Sequence, residues 1–287
     1  MQIILKSHQL NFSLKSCLSW CVFIVLLFIK NYGQAQAVSV SPSRLFFTGN
    51  AGQETTQQIT ITNTGSTSAT FSASVMDWDR DSIGEKRYYP AGTQKLSNAR
   101  WVEVLPNVIE IAPGAKKQVN VLVHVPVDEV NKGVKNSMLF LTQINEQKPS
   151  QILNNNANIG VIVKLEFGIH VYYTPTGITH KELDFLAVEN KGLVTVNNEK
   201  IRRIAVKVKS SSSVVTDGFL NFELTNKTTG EELKPAAKAI SMLPGDEQIV
   251  YLDLPNNLTG SYLLVALLDG GPETTLKIAK KEINFTN

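Results

Sequence analysis

Short runs of apolar and β-branched residues alternate with turn-forming residues along most of the chain. These runs lie at 57–63, 70–78, 118–125, 138–144, 159–173, 201–209, 219–225, 248–254, 262–268 and 276–285. Glycine, proline, asparagine and serine clusters separate them, which is the pattern of β-strands joined by turns. No segment has a sustained apolar stripe with the 3.6-residue period of a helix. We therefore predict an all-β protein.

A weak internal repeat divides these strands into two similar units. IAPGAKKQVNVLV at 111–123 and MLPGDEQIVYLDL at 242–254 share a Pro-Gly turn followed by an alternating strand. Repeated strand, turn and strand at this spacing is typical of immunoglobulin-like sandwiches. In YYTPTGI at 172–178, proline and glycine interrupt the ladder and indicate a hinge. We predict two tandem immunoglobulin-like β-sandwich domains, at 38–175 and 176–287.

The first 37 residues are typical of a secretory signal peptide. Lys6 and Lys15 precede an uncharged apolar run at 17–29, and an A-x-A cleavage site ends at Ala37. The run is shorter than the roughly 20 residues that span a bilayer. We expect cleavage after Ala37 and export from the cytoplasm, with an uncleaved anchor as the alternative.

The charge of the chain changes once this segment is removed. Three of the 28 basic residues lie in it and none of the 25 acidic residues, so the mature chain has no net charge. That balance argues against nucleic acid and against a polybasic, membrane-bound role. Both cysteines, Cys17 and Cys21, also leave with the segment. The mature chain then has no disulfide and depends on core burial for its stability.

No arrangement typical of catalysis or of a bound cofactor is visible. The chain lacks G-x-S-x-G, H-E-x-x-H and Walker motifs. The alternating acids of DWDRDSIGE at 77–85 suggest a calcium loop. However, its sixth and twelfth positions are Ser82 and Tyr88, where an EF-hand needs glycine and glutamate. We predict a solvated loop there, and a protein that is not an enzyme and binds no metal or cofactor.

An arginine interrupts the apolar run VSPSRLFF at 40–47. Because side chains alternate along a strand, Arg44 shares a face with Val40 and Phe46, and Leu45 points the other way. A buried guanidinium without a partner is expensive. Two interpretations follow: Arg44 lies at a sheet edge and reaches solvent, or an anion from another molecule completes it.

The run at 159–173 is unusually long and apolar on one face. Every odd-numbered residue from 159 to 171 is apolar, and typical strands have about five or six residues. One interpretation is a strand that bends at Gly168 and serves both domains. The other is an edge whose apolar row is offered to a strand of another protein. The polar stretch before it, at 145–158, is predicted to be a mobile loop.

Several segments resemble the periplasmic pilus-assembly chaperones, the PapD-type proteins that work with outer-membrane ushers. AVSVSPSRLFF at 37–47 resembles their first strand, with Arg44 in the place of their signature arginine. IAPGAKKQV at 111–119 resembles their E-P-G turn, and IVKLEFGIHVYYTP at 162–175 is similar to the end of their long G strand. SYLLVALLDGG at 261–271 is similar to their closing segment. The resemblance covers most of the first domain, and the second domain is similar only in class.

This resemblance implies a boomerang of two domains and a periplasmic chaperone that caps secreted pilus-like subunits by donating an edge strand. Arg44 would anchor the terminal carboxylate of the subunit. Val161, Val163 and Leu165 would form the donated apolar row. The implied partners are secreted pilus-like or surface subunits, together with an outer-membrane usher.

One position departs from the resemblance, because His170 stands where the family has a lysine. An unperturbed imidazole has a pKa near 6.5, so about a quarter of it would be charged at pH 7. Three interpretations follow: the carboxylate depends more heavily on Arg44, the client presents a different terminus, or the chain is a divergent relative whose client is not a classical pilin. The alternative function is a non-catalytic cell-envelope or surface adhesion module built from tandem immunoglobulin-like domains.

Overall fold

The first part of the chain folds into two sheets packed face to face. The structure is a computed structural model and describes residues 37–129, 133–145, 150–154, 157–161 and 163–286. The strands before residue 176 are β1 Val38–Ser41, β2 Arg44–Gly49, β3 Glu54–Asn63, β4 Ala69–Arg80, β5 Lys86–Tyr89, β6 Val102–Leu105, β7 Val108–Ile111, β8 Lys116–His124, β9 Lys135–Gln143, β10 Ser150–Asn154, β11 Ala157–Val161 and β12 Glu166–Pro175. A 3₁₀ turn covers Ala99–Trp101.

The order of the strands explains where this core lies. One sheet has the order β1-β3-β8-β6, the other has the order β2-β12-β9-β4-β5 with β7 also paired to β4, and β10 pairs with β11 separately. The core between the two sheets includes Leu45, Phe47, Ile59, Ile61, Phe71, Ile109, Val119, Val121, Leu139, Leu141, Ile169, Val171 and Tyr173. Alternation along β2 therefore buries Leu45 and leaves Arg44 on the outer face of its sheet.

One detail of the predicted alternation is wrong. The chain passes from the first sheet to the second between β1 and β2. Val40 consequently packs against the core, although it has the same parity as Arg44. A strand that changes sheets also changes which of its faces is buried.

The rest of the chain forms a second sandwich. Its strands are β13 Leu183–Val196, β14 Glu199–Ser210, β15 Thr216–Asn226, β16 Glu232–Leu233, β17 Lys238–Met242, β18 Glu247–Leu254, β19 Gly260–Asp269 and β20 Lys277–Phe285. The sheets are β13-β14-β18 and β16-β15-β19-β20, with β17 paired to β15. Their core includes Ile204, Val206, Val208, Leu220, Phe222, Leu224, Leu252, Leu264, Ala266 and Leu268. The predicted fold class, two tandem immunoglobulin-like β-sandwiches, is confirmed.

A third apolar cluster joins the two sandwiches. Its buried members are Trp78, Val134, Met138 and Tyr172 from the first sandwich and Val214 and Leu243 from the second. We call this set the bridging cluster. In the described residues, no strand before 176 pairs with a strand after 182, so these side chains and a few polar contacts connect the sandwiches.

The two Pro-Gly turns of the internal repeat are confirmed. Gly114 and Gly245 have φ values of 69° and 83°, which glycine adopts without the steric cost of a side chain. Each turn is closed by a backbone hydrogen bond, from Ala115 to Ala112 and from Asp246 to Leu243. The repeat therefore reflects the same turn between two strands in each sandwich.

Two predictions about the segment from 145 to 173 are wrong. The run at 159–173 is not one strand, because β11 ends at Val161 and β12 begins at Glu166. The preceding stretch is not a loop throughout, since residues 150–154 form β10 and pair antiparallel with β11. The interpretation of a single long strand that bends at Gly168 is therefore excluded.

The predicted solvated loop at 77–85 is also wrong at its start. Asp77 belongs to β4 and is completely buried. Its carboxylate accepts hydrogen bonds from the backbone N–H groups of Thr93 and Gln94 at 2.7 and 2.8 Å, and from the Ser97 hydroxyl. This acid is a structural acceptor that holds the segment following β5.

Residues 1–36 of the predicted signal peptide lie outside the described part of the chain. Within the described residues, we find no helix with the length and apolar character needed to cross a bilayer.

Candidate functional site

Strand β12 is paired with β2 along only part of its length. From His170 to Pro175 it pairs in parallel with β2, and Arg44 lies opposite His170. From Glu166 to Ile169 it pairs only with β9 in the described chain. The chain that precedes β2 has turned into the other sheet, so it does not cover this stretch. We call the stretch Glu166–Ile169 the open edge.

Half of the backbone groups of the open edge point away from the sheet. The Gln143 N–H donates to the Leu165 carbonyl at 2.9 Å on the β9 side, and the His170 N–H donates to the Ser43 carbonyl at 3.0 Å on the other side. Because successive residues of a strand direct these groups to opposite sides, those of Glu166 and Gly168 face outward. Such an edge is a template for another strand.

Arg44 lies at the end of the open edge and already has a carboxylate partner. Its two terminal nitrogens donate to the carboxylate oxygens of Asp217 at 2.7 and 3.1 Å, and one of them reaches the Ser241 hydroxyl at 3.4 Å. The side chains of Arg44 and Asp217 are 29% and 55% exposed. Burial works against ionisation of Asp217, but the hydrogen bonds from Arg44 and Ser241 lower its pKa overall. Neither interpretation of Arg44 named this partner from the second sandwich.

Aromatic rings support the guanidinium. Arg44 lies over Phe46 at 4.9 Å and over Tyr172 at 5.5 Å. These two rings stack on each other at 5.2 Å, because they lie opposite one another on β2 and β12. Ring faces attract a cation, so they hold the guanidinium over the sheet without neutralising it.

His170 is near Arg44, but it is not a second cation. It stacks on Tyr172, whose hydroxyl is 3.1 Å from its Nδ1, and it packs edge-on against Trp78 at 4.7 Å. Burial, together with the neighbouring cations of β2, β4 and β5, lowers the pKa of His170 to about 3. The expectation that a quarter of it is charged at pH 7 is therefore wrong. His170 is a neutral side chain at the site.

The three residues predicted as the donated row lie upstream of the open edge. Val163 and Leu165 occupy the non-strand segment that leads into β12. Val163 is 53% exposed, whereas Leu165 packs partly against the first core. Val161 is the last residue of β11, and its side chain lies outside what is described. The structure therefore brings Arg44 and His170 together and leaves Val163 exposed in the segment before β12.

An open cleft lies beside Arg44, between the sandwiches. It has a volume of about 390 Å³, and its lining includes Phe46, Thr174, Val215 and Asp217. Two of these residues, Phe46 and Asp217, contact Arg44, whose side chain is itself partly exposed.

Sequence reasoning missed Asp217, Ser241 and Trp78. Asp217 is 173 positions from Arg44, so no local spacing could connect them. Trp78 lies on β4 and reaches His170 of β12 across β9, which lies between these two strands in the sheet. The one usable signal was the unexplained arginine, which required an anion without indicating which one.

Comparisons with known proteins give structural similarity without sequence similarity. No family model matches the chain, and no curated protein matches it. Among solved structures, a chain of the CsuC-CsuE chaperone-tip adhesion subunit pre-assembly complex of Acinetobacter baumannii is 12% identical, with a TM-score of 0.47 over 85% of this chain and 98% of that one.

Two further structures are similar to the same degree. A chain of the Salmonella enterica SafA pilin in complex with the SafB chaperone is 13% identical, with a TM-score of 0.46 over 86% of this chain and 97% of that one. The E. coli chaperone DraB is 12% identical, with a TM-score of 0.44 over 84% and 96%. At these values we draw the function from the geometry of the chain itself.

Proposed function

We propose that the chain is a non-catalytic periplasmic chaperone that caps secreted pilus-like subunits by lending them the open edge of β12. The observation that carries the proposal is the position of Arg44 at the end of this unpaired edge. Main-chain hydrogen bonds along an edge supply affinity for any extended segment. The guanidinium adds a charge that selects which end of the segment lies there. We call the bound polypeptide the guest.

The polarity of the guest follows from this arrangement. Strand β2 runs parallel to β12 and begins at Arg44. A guest strand on the open edge that also runs parallel to β12 would end at Arg44 with its C-terminal carboxylate. An antiparallel guest would bring its N-terminal ammonium group to the guanidinium and be repelled. Arg44 therefore selects a parallel guest with a free C-terminus, which it binds as a bidentate ion pair.

The carboxylate of the guest takes the place of Asp217. The exchange conserves the chemistry of the pair, because one carboxylate replaces another on the same two nitrogens. The displaced Asp217 is more than half exposed, so water can solvate it. Exposed pairs of this kind contribute about 0–1 kcal/mol. The main-chain pairing then supplies most of the affinity, and Arg44 supplies polarity.

Apolar side chains before the open edge extend the contact. Val163 is exposed in the segment just before it, and a subunit that accepts a donated strand needs an apolar groove for the side chains of that strand. We assign Val163 to that groove, with Val161 and Leu165 as its neighbours. His170 acts as a neutral spacer between Arg44 and Trp78.

Co-purification of a secreted pilus-like subunit with the chain tests the proposal. Arg44→Ala should reduce the recovered guest about tenfold, since a hydrogen bond to a charged group is worth roughly 1.5–3 kcal/mol and the pair with Asp217 offsets part of it. Arg203→Ala is the matched control. Arg203 makes the same bidentate pair with Asp253, at 2.6 and 2.8 Å, and lies over Tyr251. Equal recovery with both variants would remove Arg44 from the site.

A further inference from the structure

Two more cations lie beyond His170 on the same face of the sheet. Arg80 lies over the Trp78 ring at 5.1 Å, and Trp78 contacts both His170 and Tyr172. Lys86 is the partner of Arg80 across strands β4 and β5, so the two side chains share a face. These contacts connect Arg80 and Lys86 to the Arg44 site through a row of rings.

Neither cation has a carboxylate partner within ion-pair distance in the described residues. Two nearby acids have other partners, since Asp79 pairs with Arg87 at 2.9 Å and Asp246 accepts the Leu243 N–H at 2.8 Å. Glu85 acts on Lys86 electrostatically but forms no ion pair with it. Arg80 donates to the neutral Gly84 carbonyl at 3.2 Å, and its charge acts on Asp246 without forming an ion pair. The buried Nε of Arg80 and the buried indole nitrogen of Trp78 have no hydrogen-bond partner.

The electrostatic effects on neighbouring groups agree with this picture. Burial and the charges of Arg80 and Arg44 lower the pKa of Lys86, and the opposing charge of Glu85 does not reverse this direction. A positive potential therefore persists at this face even though Asp217 neutralises Arg44. Like charges that lack counter-ions destabilise a fold, and such groups are concentrated where a ligand supplies the missing charge.

We infer that Arg80 and Lys86 form a second anion site, which takes an acidic side chain near the C-terminus of the guest. The inference rests on the proposed function, because Arg44 must hold the terminal carboxylate for a nearby side chain to reach the second site. A guest with one negative charge fills Arg44 alone. A guest with an aspartate or glutamate close to its terminus fills both sites, so the chain prefers acidic C-terminal segments.

Synthetic peptides separate the two sites. The probes are short peptides of alternating threonine and valine, with a free or an amidated C-terminus, and with either aspartate or asparagine near that end. Lys86→Ala should reduce the preference for aspartate over asparagine roughly threefold, as expected for one partly exposed charge, and leave the preference for the free terminus unchanged. Arg44→Ala should abolish the preference for the free terminus. Lys116→Ala, an exposed lysine on the opposite sheet, is the control for lost charge.

The possible outcomes test the second anion site separately from the role of Arg44 in the proposed function. An aspartate preference that Lys86→Ala leaves intact overturns the second site, even if Arg44 still selects the free terminus. If every variant, including Arg44→Ala, keeps the preference for the free terminus, the role of Arg44 is overturned instead. If the wild type binds none of the peptides, titration with sodium sulfate decides the second site. The NMR signal of the Trp78 indole N–H should shift saturably in the wild type and the Lys116→Ala variant, and more weakly in Lys86→Ala. No saturable shift in the wild type contradicts a second site.

Discussion

The guanidinium of Arg44 is bound to Asp217 while the chain is free, so a guest must compete with an internal carboxylate. Asp217→Asn removes the negative charge and keeps the size of the side chain. We expect it to raise the affinity for the guest by up to about fivefold, since exposed ion pairs contribute up to about 1 kcal/mol. Binding of a purified subunit to both proteins, measured by calorimetry, checks this. Weaker binding by the variant would mean that Asp217 orients Arg44 for the guest rather than competing with it.

The neutral state of His170 predicts a specific dependence of stability on pH. Unfolded imidazole binds a proton below about 6.5, whereas the folded side chain, with its pKa lowered to about 3, does not. Between these values the unfolded chain holds more protons, so the contribution of His170 is complete above pH 6.5 and is lost as the pH falls.

The variant His170→Asn should flatten this dependence. Asparagine retains an acceptor for the Tyr172 hydroxyl but does not titrate. The free energy of unfolding, measured with urea across this pH range, should fall less steeply with decreasing pH for the variant than for the wild type. The difference between the two slopes should correspond to up to about one bound proton per molecule. Parallel pH profiles would contradict a buried, neutral His170.

At the scale of the strand, the open edge offers a test that leaves the sandwich intact. Proline removes the N–H of its own residue, and it is tolerated at the first position of a strand. Glu166 is that position in β12, and its N–H faces outward. Glu166→Pro should reduce capture of the guest, because one donor to the guest strand is lost. Glu166→Ala is the control, since it also loses the side-chain bond to Thr142 but retains the N–H. Equal capture by both variants would argue against pairing at this edge.

The elements differ in how well their sequences predict them. Runs with clean alternation, such as those of β3, β8 and β19, are strands as predicted. Strand β13 was missed, although it has 14 residues. Its register shifts near Phe185 and Asn190 interrupt the alternation, and polar residues lie on both of its faces. The run at 159–173 shows the opposite error. Apolar residues at every second position predicted a single strand, whereas the structure has a break after Val161.

At the scale of the whole molecule, the sequence predicted two sandwiches but not how they meet. The bridging cluster joins residues from β4, β9 and β12 to Val214 and Leu243 of the second sandwich, and these contacts depend on tertiary placement alone. The same is true of the site. Arg44 could be found because a charge in an apolar strand needs an explanation. Asp217 could not, because its surroundings suggest only a turn before a strand.

The most direct test of the account is amide hydrogen exchange along β12, with and without a bound subunit. In the free chain, the amides of Glu166 and Gly168 should exchange fast, since their N–H groups face solvent, while those of Phe167 and Ile169 are protected by β9. When a guest binds, the amides of Glu166 and Gly168 should become protected and those of the neighbouring residues should change little. A complex in which both amides still exchange as fast as in the free chain would contradict a donated edge.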